Sequence, residues 1–169
     1  MITYNQPPAP IVVCFDCTTN EQKTLEFLQK RGIRNQNALA VVLGNIKQES
    51  KFDTLVCEGG AKTGYHGCKS GGFGLIQWTS PNRYYGLGAF VTKFGGNVDT
   101  IETQLRYMVN EPQWGRYELY LRSEDQSVNF YMKHAYNWLG WGIHGNRTLY
   151  ANQYLSRFSV TVPELSTIA

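Results

Sequence analysis

Residues 44 to 50 read Gly44-Asn45-Ile46-Lys47-Gln48-Glu49-Ser50, and residues 71 to 79 read Gly71-Gly72-Phe73-Gly74-Leu75-Ile76-Gln77-Trp78-Thr79. The first stretch closes a helical pattern. Asn35 suits the cap of a helix whose Leu39, Val42, Leu43 and Ile46 recur at the three- and four-residue spacing of an inward face. At about 100° per residue, the seven steps from Val42 to Glu49 leave the two about 20° apart in projection. Glu49 therefore leaves the helix on its apolar side. The second stretch is a glycine-rich turn running into an amide and an indole, and FGLIQW predicts one arm of a short hairpin or a tight wall segment.

Outward from these stretches the pattern stays helical. Thr18-x-x-Glu21 forms a capping box, Leu25 and Leu28 follow, and Gly32 suits the position after the helix, which places helix one at about 19 to 31. Lys51 to Ser70 reads as loop. Ser80-Pro81 opens a helix that carries Leu87, Phe90 and Phe94 inward, interrupted in propensity by Gly86 and Gly88 and stopped at Gly95-Gly96. Asp99-x-x-Glu102 predicts a capped helix ended by Pro112, with a short helical turn around Tyr117 to Leu121. Ser123-x-x-Gln126 predicts the cap of a long helix through Leu139, and a last helix runs over about 146 to 158. The sum is six or seven helices: a mainly α domain over 18–158, with an extended arm at 1–17 and a tail at 159–169.

The chain's 169 residues fit one domain with one core. Net charge is +3 with Lys and Arg dispersed, which excludes the basic footprint of a nucleic-acid binder. Aromatic content of 14% predicts exposed stacking surfaces, compatible with sugars. No run of about 20 apolar residues is present to span a membrane, and MITYNQPPAP lacks the charged and apolar regions of a signal peptide, so synthesis in the cytoplasm without an export address is expected.

Four cysteines, Cys14, Cys17, Cys57 and Cys68, leave three disulfide pairings open. A bond between Cys57 and Cys68 across their loop is one reading. A tetrahedral zinc site built from the same four cysteines, with His66 nearby, is another, and free thiols a third.

A carboxylic acid that donates a proton near neutral pH needs its charged form penalised, and burial beside apolar groups does this. Glu49 is placed for that role; the plain alternative is a helix-end glutamate in solvent. GNIKQES followed by GGFGLIQWTSPNR, and then by DTIETQLRYMVNE, resembles the phage tail lysozyme family, relatives of goose-type lysozymes and lytic transglycosylases. The resemblance runs over roughly Thr18 to Glu111. It implies a helical, lysozyme-like fold with a small irregular or β-hairpin insertion beside a groove, and cleavage of the β-1,4 bond between N-acetylmuramic acid and N-acetylglucosamine. No cofactor is implied. Expected partners are peptidoglycan glycan strands and other phage tail or baseplate proteins, and the expected location is the virion tail, acting in the bacterial cell wall.

Residue by residue, Glu49 matches the catalytic acid, and Ser50 the small polar residue after it. Gln77 matches the glutamine that hydrogen-bonds the sugar or its acetamido group, while Gly74 lets the backbone approach the glycan. Trp78 fits a stacking platform or the core. Tyr85 is a further groove candidate. Asp53 and Glu58 are candidates for a second acid, which two-carboxylate glycosidases need; Glu102 and Glu111 fit a cap and a helix-end or core contact. Two rival functions remain: a virion structural module with this fold and no turnover, and a chitinase-like enzyme.

Overall fold

Helix α2 (Gln36–Ser50) is the axis of the computed structural model, which describes residues 9–162. The Asn35 carboxamide oxygen caps it, accepting from the N–H groups of Asn37 at 2.9 Å and Ala38 at 3.2 Å. These are donors that a helix start otherwise leaves orphaned. The inward face of Leu39, Val42, Leu43 and Ile46 is buried, and so are Ala38, Ala40, Val41, Gly44 and Asn45 around it. A helix apolar on all sides is one enclosed by its neighbours.

Those neighbours follow in chain order. Strand β1 (Ile11–Val13) and α1 (Thr19–Lys30) precede α2, and α3 (Gly64–Cys68), α4 (Pro81–Phe94), α5 (Ile101–Asn110), α6 (Pro112–Leu121), α7 (Val128–Leu139), α8 (Arg147–Arg157) and β2 (Ser159–Thr161) follow it. Helices α1, α7 and α8 pack directly on α2, and α5 joins α1, α4 and α6. The strands that sequence reading leaves in arm and tail pair antiparallel, Val12 opposite Val160. The free edge of β1 is closed by the Gln29 side chain, which accepts from the Val12 N–H and donates to the Val12 carbonyl, both at 2.8 Å. Unpaired strand edges invite association, and this one is covered.

The tightest approach is between α2 and α8. A Cβ on Gly44 would lie 2.7 Å from the Ala151 nitrogen and 2.8 Å from the Arg147 carbonyl oxygen, both backbone atoms that cannot rotate away. Gly44→Ala gains helix propensity but forces the helices apart. It is expected to cost about 1–3 kcal/mol, read as a lowered urea midpoint at unchanged slope.

Several local expectations are corrected. Helix α4 is unbroken, because Gly86 and Gly88 give room rather than breaks: a side chain at Gly86 would strike the Tyr107 hydroxyl, and a Cβ at Gly88 would lie 2.6 Å from the Tyr65 hydroxyl. The residues between the later cysteines include α3, not only loop. Thr100, not Asp99, caps α5, its hydroxyl accepting from the Thr103 N–H; Asp99 instead accepts from the Tyr65 N–H at 2.8 Å and ties α3 down. Helix α6 is a full helix opened by Pro112, and α7 starts at the Ser127 cap, later than Ser123 suggests. Trp78, Trp114 and Trp138 are fully buried, so the aromatic content mainly builds core. Tyr117 stacks on Trp138 at 5.3 Å, and Trp114 meets Trp138 edge-on at 5.1 Å.

The capping box forms as read: Glu21 accepts from the Thr18 N–H at 2.9 Å and its other oxygen accepts from the Tyr154 hydroxyl. Burial pushes the Glu21 carboxyl up, but Tyr154, the Thr18 cap and Arg157 outweigh it and hold it below its ordinary 4.5. For Glu118, burial is likewise outweighed by the Arg31 guanidinium, which grips it at 2.8 and 3.1 Å. Carboxyls depressed in the folded state stabilise fully above their unfolded value and lose that contribution as pH falls through the folded one. The urea midpoint is therefore expected to be level from neutral pH to about 5 and to fall as pH drops toward about 3. A midpoint that rises on acidification contradicts both contacts.

Candidate functional site

Glu49 sits in the last turn of α2, half-buried, and its carboxylate accepts from the Arg147 Nη2 at 2.8 Å. Arg147 opens α8 and is only 4% exposed. Its Nη1 donates to the Asn45 side-chain oxygen at 3.1 Å, and its guanidinium lies over the Trp141 ring, 4.4 Å from the centroid. One turn of α2 apart, Asn45 and Glu49 share one face and hold the same cation from two sides. Gln48 steadies the approach to α8, accepting from the Asn146 N–H at 2.9 Å. The carboxylate thus has a fixed orientation.

The wall bonded to the end of this helix, through Ser50, is the segment 71–78. Glycine at 74 takes φ +77, and a Cβ there would lie 2.8 Å from the Gln104 side-chain oxygen. Gln104 is fully buried and satisfied: it accepts from the Leu75 N–H at 2.9 Å and donates to the carbonyls of Thr54 and Val98, each at 2.8 Å. One amide on α5 pins both sides of the wall. Ser50 ties that wall to the acid's own helix, donating to the Leu75 carbonyl at 2.7 Å. The short backbone bridges Cys57 to Phe73 and Phe73 to Trp78 give the insertion its β-like character.

Behind the wall lies a second ion pair. Arg83 on α4 grips Glu111 at 2.8 and 2.9 Å, and the Trp78 indole N–H donates to the same carboxylate at 2.8 Å. Burial works against the Arg83 charge, but Glu111 outweighs it, with smaller support from Tyr107 and Glu49, and the guanidinium is held charged above its ordinary value. Burial, reinforced by Glu111, pushes the Tyr107 hydroxyl well up; it stays neutral and donates to the Arg83 carbonyl at 2.7 Å.

The expected site residues divide. Glu49, Gln77 and Gly74 lie on the acid's helix and the wall. Gln77 adopts φ +53, a left-handed conformation uncommon outside glycine and typical of functional sites. Its side-chain nitrogen donates to the carbonyls of Gly74 at 2.9 Å and Val56 at 3.2 Å and holds the turn, and its backbone carbonyl accepts from the Thr79 hydroxyl at 2.7 Å. Trp78 is not a stacking surface: it is fully buried with its N–H committed to Glu111. Ser50 is buried with its hydroxyl committed to Leu75, so it holds the wall rather than a ligand. Tyr85 is exposed on α4, near Lys69. Asp53 is engaged by Lys62 at 3.1 Å and by the Leu55 N–H at 2.9 Å, in a turn after α2. Glu58 is exposed and packs its stem beside Gly72.

Both cysteine pairs are disulfides, Cys14–Cys17 and Cys57–Cys68. The four-cysteine zinc arrangement is therefore not formed, since a bonded sulfur is not a thiolate ligand and the pairs lie in separate places. Among the described residues the one cluster with metal-ligand spacing is Cys14, Asp16 and Cys17, whose sulfurs are bonded to each other. Cys57–Cys68 closes the loop that carries the wall's outer edge.

Sequence reasoning missed Asn45 and Arg83; the helix-end or core contact read for Glu111 is found as a buried contact with Arg83 and Trp78. Gln104 and Tyr107 had a signal, the Q-L-x-Y spacing on α5, which puts both on the face toward the wall. Arg147 could be picked out only as a late arginine in keeping with the resemblance; its contact with Glu49, 98 residues away, has no local signal. No helix of the described residues is long and apolar enough to cross a membrane.

The model of a family described as phage tail lysozyme matches residues 19–158. No curated protein and no solved structure matches the chain.

Proposed function

Because the chain belongs to the phage tail lysozyme family, we propose that it is a peptidoglycan glycosidase that cleaves the β-1,4 bond between N-acetylmuramic acid and N-acetylglucosamine, with Glu49 as general acid. The observation that carries this reading is the half-buried Glu49 carboxylate at the end of α2, held by Arg147 on the helix whose Ser50 is bonded to the segment 71–78. Glu49 protonates the leaving glycosidic oxygen as positive charge develops at the anomeric carbon. The Gln77 side-chain oxygen accepts a hydrogen bond from the sugar's acetamido N–H; Gly74 is buried and makes room for the Gln104 side chain rather than for the glycan.

Asp53 is held by Lys62 and a backbone amide, and Glu111 by Arg83 and Trp78. Pairing alone does not separate them from Glu49, which Arg147 holds; Glu111 is set apart by its burial against Trp78, Asp53 by its place in the turn after α2, and Glu58 is exposed beside the wall. We therefore assign the chemistry to Glu49 alone, acting first as acid and then as base on water or on the substrate's own hydroxyl. We further place the enzyme in the virion tail, where it opens the cell wall at entry. Zymography on murein followed by mass spectrometry of the products tests the assignment: reducing ends mark hydrolysis, anhydro ends transglycosylation. A purified, folded chain that clears no murein favours a non-catalytic virion module instead.

A further inference from the structure

The wall is held from two sides by unequal means. On its inner side the fully buried Gln104 accepts from the Leu75 N–H at 2.9 Å, and Ser50 donates to the Leu75 carbonyl at 2.7 Å. On its outer side the bonds run to one turn, residues 55–63. The Val56 carbonyl accepts from the Gly74 N–H at 2.9 Å and from the Gln77 side-chain nitrogen at 3.2 Å, and Cys57 forms a backbone bridge to Phe73.

That turn has little hold on the body of the protein. Residues 58–63 are all exposed, and a Cβ at Gly59 or Gly60 would meet nothing within 4 Å. Its backbone closes largely on itself: the Cys57 N–H donates to the Ala61 carbonyl at 2.7 Å and the Gly60 N–H to the Cys57 carbonyl at 3.0 Å. Lys62 reaches Asp53 at 3.1 Å, an exposed pair that contributes little. The firm attachment is covalent, from Cys57 to Cys68. Cys68 ends α3, which is anchored without that bond: Tyr65 stacks on Tyr84 at 4.6 Å, and its N–H donates to Asp99 at 2.8 Å. The disulfide thus joins a fixed helix to a loosely held turn that carries one side of the wall. Cys57 is half-buried, whereas Cys14 and Cys17 are 3% and 8% exposed.

Thiol–disulfide exchange opens such a bond. A thiolate of a dithiol reductant attacks the half-exposed Cys57 sulfur, and Cys68 leaves as a thiolate and takes up a proton. The reductant's second thiolate then displaces Cys57, which is protonated in turn, and closes the reductant's own disulfide; two electrons have passed to the protein pair. We propose that Cys57–Cys68 is a redox latch on the wall: oxidised, it fixes the turn and with it Gln77; reduced, it frees both while the helices stay folded. Disulfides persist in oxidising surroundings outside cells and are lost in a reducing cytosol, so the latch keeps an assembled wall to the compartment where murein lies. The link to catalysis rests on the glycosidase reading.

The test reads the wall apart from turnover. The full-length chain is compared with and without dithiothreitol, in the absence of denaturant, by alkylation, amide exchange and murein clearing. Cys57 and Cys68 are expected to alkylate before Cys14 and Cys17. The Gly74 amide, bonded to Val56, is expected to exchange about 10- to 100-fold faster in the reduced chain, while the Leu75 amide, bonded to Gln104, keeps its rate. Murein clearing is expected to fall about tenfold as Gln77 loses its position, and to return on reoxidation. The Cys57→Ser/Cys68→Ser chain is expected to match the reduced state and to ignore dithiothreitol, and the Cys14→Ser/Cys17→Ser chain to keep the full response. An unchanged Gly74 rate, or equal acceleration at Leu75, overturns the latch. Opening at Gly74 with undiminished clearing overturns its control of catalysis. Opening at Gly74 in a chain that clears no murein in either state supports the latch and overturns the glycosidase reading instead.

Discussion

Glu49→Gln is expected to lower murein cleavage by about 10²- to 10⁴-fold, the share that a positioned proton donor contributes. The substitution isolates the proton. Glutamine keeps the length of the side chain, and its carbonyl oxygen still accepts from Arg147, while Asn45 and Trp141 keep their own contacts with the guanidinium. What is lost besides the proton is the countercharge to a buried cation, which costs about 1–3 kcal/mol, as for a hydrogen bond to a charged group. Turbidity loss of purified cell walls gives the rate, and urea unfolding of the same preparation gives the stability. A variant that clears walls at the parent rate removes Glu49 from the chemistry. One that no longer unfolds cooperatively shows that the Glu49–Arg147 pair is mainly structural.

Glu111→Ala is expected to have the largest effect on stability. Arg83 and Glu111 are both largely buried, and the carboxylate also accepts the only hydrogen bond from the fully buried Trp78 indole. Truncation leaves a buried cation without its partner and a buried N–H without an acceptor. Breaking such a pair costs about 3–5 kcal/mol, a large share of the 5–15 kcal/mol typical of a domain. Glu111→Gln keeps an acceptor for Trp78 and is expected to cost less. Replacing Arg83 by Met in the Glu111→Ala chain removes the orphaned charge and is expected to recover part of the loss, which a double-mutant cycle on urea midpoints reads directly. If the double variant is no more stable than Glu111→Ala, the cost lies in the Trp78 contact and not in the ion pair.

The two experiments separate parts of the site that differ in how they could be read. Glu49 was visible because its helix carries a strong period and the residue leaves on the apolar side. That Arg147 orients it was not, because a contact across 98 residues leaves no local pattern. Trp78 shows the same limit from the other direction. Beside a glycine-rich turn its identity suits a sugar platform and a core equally, and only the position of Glu111, brought in by α5 and α6, assigns it to the core. The cysteines behave likewise: spacing left pairing and metal ligation open, and the fold put Cys57 beside Cys68 and kept both from Cys14 and Cys17.

The sequence by itself determined the helical class, the caps at Thr18, Asn35 and Ser80, the central helix with Glu49 at its end, and the family. Each of these depends on residues within a few turns of one another, where periodicity and capping chemistry act locally. Only the tertiary structure decided which groups surround the acid, which aromatic residues are core, and why Gly44, Gly86 and Gly88 are glycines. Those depend on what distant helices bring to one point. Burial and ion pairing take their meaning from such neighbours, and these are fixed by packing, which local pattern does not record.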